Sequence, residues 1–138
     1  MDLKTPNNDI VLSLKKPGRC SANCGSCCAP VIVAKNPQNE LFGTVKQMFG
    51  YCSNPFVIHD WLDRPQLIVR GPPFSCKACI DLILKVYVID HETESIGRIV
   101  RRYSDQTDFY TLIFPSDLDL RMKIMLVCTA LLIVSHDF

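Results

Sequence analysis

Residues 124–134, IMLVCTALLIV, are an uncharged run that the chain must either bury or leave against something apolar. Its eleven residues make a helix of roughly 16 Å, about half of a ~30 Å hydrocarbon core. Polar residues close the run on both sides. Asp117, Asp119, Arg121 and Lys123 precede it, and Ser135, His136, Asp137 and Phe138 follow. The run is too short to span a bilayer, so the expectation is a helix over 118–135 buried in a folded domain. Asp117 suits its N-cap, and the Asp119 carboxylate suits its first turn, where the helix dipole favours negative charge. A helix apolar almost all round needs walls on all sides.

The rest of the chain can supply those walls. Short β-rich runs recur: IVLSLK (10–15), PVIVAK (30–35), LFGTVKQMF (41–49), FVIHD (56–60), QLIVR (66–70), LILKVYVID (82–90), SIGRIVRRY (95–103) and FYTLIF (109–114). Turn chemistry such as NPQN, SNP, DRP, GPP, HETE and FPSD separates them. In LILKVYVID the side chains of Leu82, Leu84, Val86 and Val88 share one face, and Ile83, Lys85, Tyr87 and Ile89 take the other. The pattern predicts a mainly β fold: an antiparallel partial barrel wrapped on one C-terminal hydrophobic helix.

Composition narrows the function classes. A length of 138 residues suits one domain, and 48% apolar with 21% charged residues is globular rather than disordered. Fifteen basic against fourteen acidic residues leave a net charge of +1, so no global field steers nucleic acid, and there is no direct nucleic-acid signal. The first twenty residues lack the apolar core of a secretory signal, so the eight cysteines are expected to stay reduced. His59, His91 and His136 are dispersed, and the sequence has neither a nucleophile-elbow motif nor a Gly-rich phosphate loop. The expectation is a protein without covalent catalysis.

Three blocks, in order, resemble the phospholipid scramblase family: KKPGRCSANCGSCC (15–28), RGPPFSCKACIDLILKV (70–86) and DFYTLIFPSDLDLRMKIMLVCTALLIV (108–134). FPSDLDLRMK running directly into an apolar helix is the most specific of them. The resemblance implies a tubby-like fold, a β-barrel closed on a central helix whose core here is Ile124, Leu126, Val127, Leu131 and Leu132. It covers nearly the whole chain but about the second half of a family domain, so a C-terminal portion, fragment or shortened form is expected. Its parts are a strand and Cys-rich turn (1–28), antiparallel strands (29–116) and the central helix (117–135).

The implied function is calcium-responsive, ATP-independent, bidirectional movement of phospholipids between the leaflets of the plasma membrane, at its cytoplasmic face. It involves no covalent chemistry. The alternatives are an intracellular binding or regulatory module on the same scaffold, and an inactive truncated form. The family's palmitoylated cysteine run corresponds to Cys24, Cys27 and Cys28, interrupted here by Gly25 and Ser26. Two acyl chains suffice for stable anchoring, and one does not. Cys24/Cys27 and Cys76/Cys79 also have Cys-x-x-Cys spacing for a zinc thiolate site, the weaker reading because four expected strands separate the pairs. The family's calcium-binding segment falls on QTDFYTLIFPSD (106–117), with Asp108 and Asp117 at its third and last positions and Gln106 where an acid is usual. An extended FYTLIF would hold Asp108 and Asp117 roughly 30 Å apart, too far to share one ion. Arg98, Arg101 and Arg102 occupy the place of a nuclear-import-like segment read by importin α, which implies a nuclear location when the chain is not acylated. Alternation puts Arg98 and Arg102 on one face of the strand and Arg101 on the other. A helix face left without walls would also favour a homodimer.

Overall fold

The structure, a computed structural model, describes residues 2–4, 6–7, 10–15, 31–48, 55–71, 82–102 and 109–136. Nine strands run in chain order: β1 (Asp2–Lys4), β2 (Ile10–Lys15), β3 (Val31–Lys35), β4 (Leu41–Gln47), β5 (Phe56–His59), β6 (Pro65–Arg70), β7 (Leu82–Val88), β8 (Gly97–Arg102) and β9 (Phe109–Ile113). They form one sheet in which each strand pairs antiparallel with the next, a pure meander. The helix α1 (Leu120–His136) follows. This is the expected partial barrel with a C-terminal helix, and β1 is the strand the sequence pattern did not reveal.

The register carries the apolar periodicity from strand to strand. Ile32 lies opposite Val45, Val45 opposite Ile58, Val69 opposite Val86, and Leu84 opposite Ile99. These residues belong to a single core cluster that also holds Met122, Met125, Leu126 and Leu132 of α1. A one-residue slip at any pair would turn that strand's apolar set away from the helix. On β7, Leu84 and Val86 are buried and Ile83 is exposed, as alternation requires.

Two small residues seat the helix. Ala34 and Gly43 are cross-strand partners, and Ala34 is fully buried. A Cβ at Gly43 would lie 2.8 Å from both the His59 carbonyl oxygen and Met125 Sδ. Gly43 therefore lets α1 approach β4 more closely than any larger residue would.

The helix begins later than the sequence suggests. The amide of Lys123 donates to the Asp119 carbonyl at 3.0 Å, which makes Asp119 rather than Asp117 the N-cap and leaves no acid in the first turn. Pro115 favours the turn instead: its carbonyl accepts from the Leu118 amide at 3.2 Å, and Asp117 lies inside that turn.

Candidate functional site

A meander sorts its connections by end. Those after β1, β3, β5, β7 and β9 leave one end of the sheet, and those after β2, β4, β6 and β8 leave the other. The first set holds the tight turns in which Asn39, Asp63 and Asp90 adopt positive φ (66°, 59° and 64°), a conformation Asn and Asp tolerate better than other side chains. It also holds the start of α1. The second set carries Cys24, Cys27 and Cys28 after β2, and Cys76 and Cys79 after β6. These five cysteines, and with them the acylation and zinc assignments, lie outside the described residues, as do Gln106 and Asp108.

α1 presents two apolar faces. Met122, Met125, Leu126, Thr129 and Leu132 are buried towards the sheet, and the Thr129 hydroxyl is satisfied by donating to the Met125 carbonyl at 2.9 Å. The opposite face carries Leu120, Ile124, Val127 and Leu131, spaced as one stripe on a 3.6-residue helix. Leu120 is 68% exposed and Val127 40%, with Ile124 and Leu131 half-buried. Among the central-helix residues expected from the sequence, Leu126 and Leu132 are therefore enclosed and Val127 is not. The helix packs on β3, β4, β5 and β9, and its far side stays open, as the partial barrel expected from the sequence allows. No helix among the described residues is long and apolar enough to cross a membrane.

At the N-terminal end of α1, the Arg121 guanidinium lies between two rings, 4.5 Å from the Trp61 centroid and 5.2 Å from that of Phe42. Lys123 Nζ stands 5.6 Å over Phe114 and donates to the Ser116 carbonyl at 2.9 Å. Asp60 holds the β5–β6 turn. Its Oδ1 accepts from the amides of Leu62 and Arg64, both at 2.9 Å, and its Oδ2 from Arg64 Nε at 3.1 Å and Gln66 Nε2 at 3.2 Å. Burial alone would raise the Asp60 carboxyl, but the Arg64 and Leu62 amides and the Arg64 guanidinium outweigh it and hold it below its ordinary value. Sequence reasoning read DRP only as a turn and missed this arrangement. The signal available was an aspartate directly before an exposed Trp-Leu pair.

The remaining candidates fall apart spatially. Asp117 is an exposed turn residue, separated from position 108 by β9. Arg98 and Arg102 are exposed, and Arg101 is buried on the same face as Ile99, as strand alternation predicts. His59 is held below the usual imidazole value, first by burial and then by the Lys46 charge. Among the described residues, no group of three or more His, Cys, Asp or Glu side chains could hold a metal ion. Burial pushes the Cys128 thiol up to about 12.

The scramblase family model matches residues 1–138. The chain belongs to the scramblase family. Mouse phospholipid scramblase 1 is 29% identical over 130 residues, a match covering 89% of this chain and 39% of that protein. Bovine phospholipid scramblase 2 is 27% identical over 129 residues (89% and 44%), and human phospholipid scramblase 4 is 25% identical over 132 (89% and 40%). The chain thus spans less than half the length of these curated relatives. No solved structure matches it. As a scramblase-family fold, the half-open barrel around α1 is tubby-like in architecture.

Proposed function

We propose that this chain takes part in scramblase-type movement of phospholipids between leaflets, in both directions, without ATP and without breaking a bond. The observation that carries the reading is the family match along the whole chain. The outer stripe of α1, with Leu120 and Val127 exposed and Ile124 and Leu131 half-buried between them, supports it physically. Carrying a polar headgroup through hydrocarbon is costly because its hydrogen bonds to water are lost. A protein that presents an apolar face beside polar strand edges lowers that cost with a surface rather than with catalytic side chains. The reading places the chain at the cytoplasmic face of the plasma membrane, held by acyl chains on Cys24, Cys27 and Cys28. Calcium acts as the activator, through carboxylates near Asp117 rather than through one ion shared by Asp108 and Asp117.

The test is reconstitution of the purified chain into vesicles labelled in both leaflets with a dithionite-sensitive lipid. Bleaching beyond the outer-leaflet fraction, increased by calcium and indifferent to ATP, is expected. Bleaching that stops at the outer leaflet with and without calcium overturns the reading. A binding or regulatory module is the second reading, favoured by the solvent-facing Arg98 and Arg102 on β8. It predicts importin α capture that is lost when both are changed to Ala.

A further inference from the structure

Three separate chain segments meet through Arg121, and in each an exposed leucine adjoins a stack residue in sequence. Leu41 precedes Phe42, Leu62 follows Trp61, and Leu120 precedes Arg121. Leu41 is 37% exposed, Trp61 43%, Leu62 58% and Leu120 68%. Turn tips ordinarily carry polar residues, because their backbone faces water. Here the tip of the β5–β6 turn is Trp-Leu, and the four hydrogen bonds to buried Asp60 hold it in a fixed shape with both side chains out.

We propose that this end of the barrel is a docking surface for a zwitterionic phospholipid bilayer, with Trp61, Leu62 and Leu120 entering the interfacial layer. The proposal deepens the lipid-handling reading above and rests on it for the expectation that the chain meets lipid at all. Three observations favour a bilayer over a second copy or another protein. The surface consists of a few side chains, Trp61 and Leu62 on the β5–β6 turn and Leu120 at the start of α1, whereas a standard protein interface engages about 20–30 residues a side. An indole with a guanidinium over its face has an apolar body and polar fringe suited to the headgroup boundary. Glu40, Asp63, Asp117 and Asp119 lie at the same end as Arg64, Arg121 and Lys123, so the acids offset the cations there and apolar insertion rather than attraction to anionic lipid drives the contact. Trp61, Leu62 and Leu120 are distinct from the candidate acylation residues Cys24, Cys27 and Cys28, so docking and acylation are separable by mutation.

Trp61 is the sole tryptophan, which makes the native chain its own probe. Purified full-length chain is mixed with phosphatidylcholine vesicles and with vesicles carrying bromine on the acyl chains near the headgroup. The expected result is a blue shift of Trp61 emission and quenching by the brominated lipid, both persisting in high salt and weakened when phosphatidylserine is added. Leu62→Asp should lower vesicle partition roughly tenfold or more with an unchanged far-UV circular dichroism spectrum, since burying one leucine side chain is a large share of such a contact. Ile83→Asp, on the exposed face of β7, should change it by less than about twofold. The proposal is overturned if the chain does not bind vesicles, if it co-floats while Trp61 emission stays unshifted and unquenched, or if Leu62→Asp binds as well as the parent. A blue shift that grows with protein concentration in the absence of lipid overturns it in favour of a second copy. Leaflet exchange with an unquenched Trp61 removes this docking surface and leaves the scrambling reading, whereas quenched Trp61 without leaflet exchange does the reverse.

Discussion

The two faces of α1 are nearly alike in hydropathy and opposite in circumstance. Met122, Met125, Leu126 and Leu132 are closed over by the sheet, while Leu120 and Val127 look outward. The difference comes from what the partner strands offer. The Ala34–Gly43 pair removes side-chain bulk where Met125 arrives, and β5 contributes Phe56 and Ile58 beside it. No strand crosses the far side among the described residues. An apolar run therefore says that a helix wants walls, and the sheet decides which side receives them.

Introducing one charge on each face gives the largest contrast. Met125→Asp places a carboxylate at a fully buried position and should cost more than about 4 kcal/mol, enough to abolish cooperative unfolding in a domain of ordinary stability. Val127→Asp, two residues on, should stay within about 0.5 kcal/mol. Urea titrations followed together by Trp61 fluorescence and far-UV circular dichroism decide it, and equal losses would mean that the outer face is covered in solution. Truncation makes the same comparison more gently. Leu132→Ala should lose about 2–5 kcal/mol, and Val127→Ala much less, because only the first leaves a cavity.

The strands of the meander from β2 to β9 were legible because alternation and turn residues repeat along the chain, and the LILKVYVID faces fell as the period-two pattern requires. β1 was not, since Asp2–Lys4 offers three residues and no alternation. The start of α1 was misplaced because Asp117 was read as the N-cap and Asp119 as a first-turn acid; the turn closed on the Pro115 carbonyl takes up Asp117 and moves the cap to Asp119. Which of the helix residues would be enclosed was not legible, because burial is a property of the partner and not of the run. The Arg121 stack joins residues far apart in sequence and has no local signature. The buried Asp60 is a local motif whose meaning emerges only when its four donors are placed.

Two further tests bear on how the inner face and the aromatic end are held. Gly43→Ala puts a Cβ against the His59 carbonyl, a backbone atom that cannot swing aside, and should destabilise by about 1–3 kcal/mol. Restored stability in a Gly43→Ala/Met125→Ala double variant would instead assign the conflict to the methionine. Asp60→Asn should cost about 1–3 kcal/mol, since donors aimed at a carboxylate lose their charged acceptor. Asp60 also sets a pH signature. Its folded pKa is depressed, so its stabilising contribution is fully present above the unfolded value of about 3.9 and is lost as pH falls through the lower folded value. The urea midpoint of the parent should fall over that acidic window, and Asp60→Asn should lack that component of the fall.

The smallest perturbation sharpens the comparison between adjacent residues. Cys128 is fully buried, and burial raises its thiol to about 12, so at neutral pH its thiolate is roughly a thousandfold rarer than that of an exposed cysteine. Val127, one position earlier, is open to solvent. In a Val127→Cys variant, whose stability should match the parent, maleimide should label position 127 quickly in the native state and reach Cys128 only after denaturant is added, as read by peptide mass. Rapid native labelling at both positions would mean that α1 lifts from the Ala34–Gly43 seat on the timescale of the reaction, making its inner face available as well as its outer one. Protection at both would mean that a second copy or an uncharted part of the chain covers Val127. Labelling at 127 alone leaves the half-open barrel as the state in solution, with its inner face closed and Val127 on the outer one.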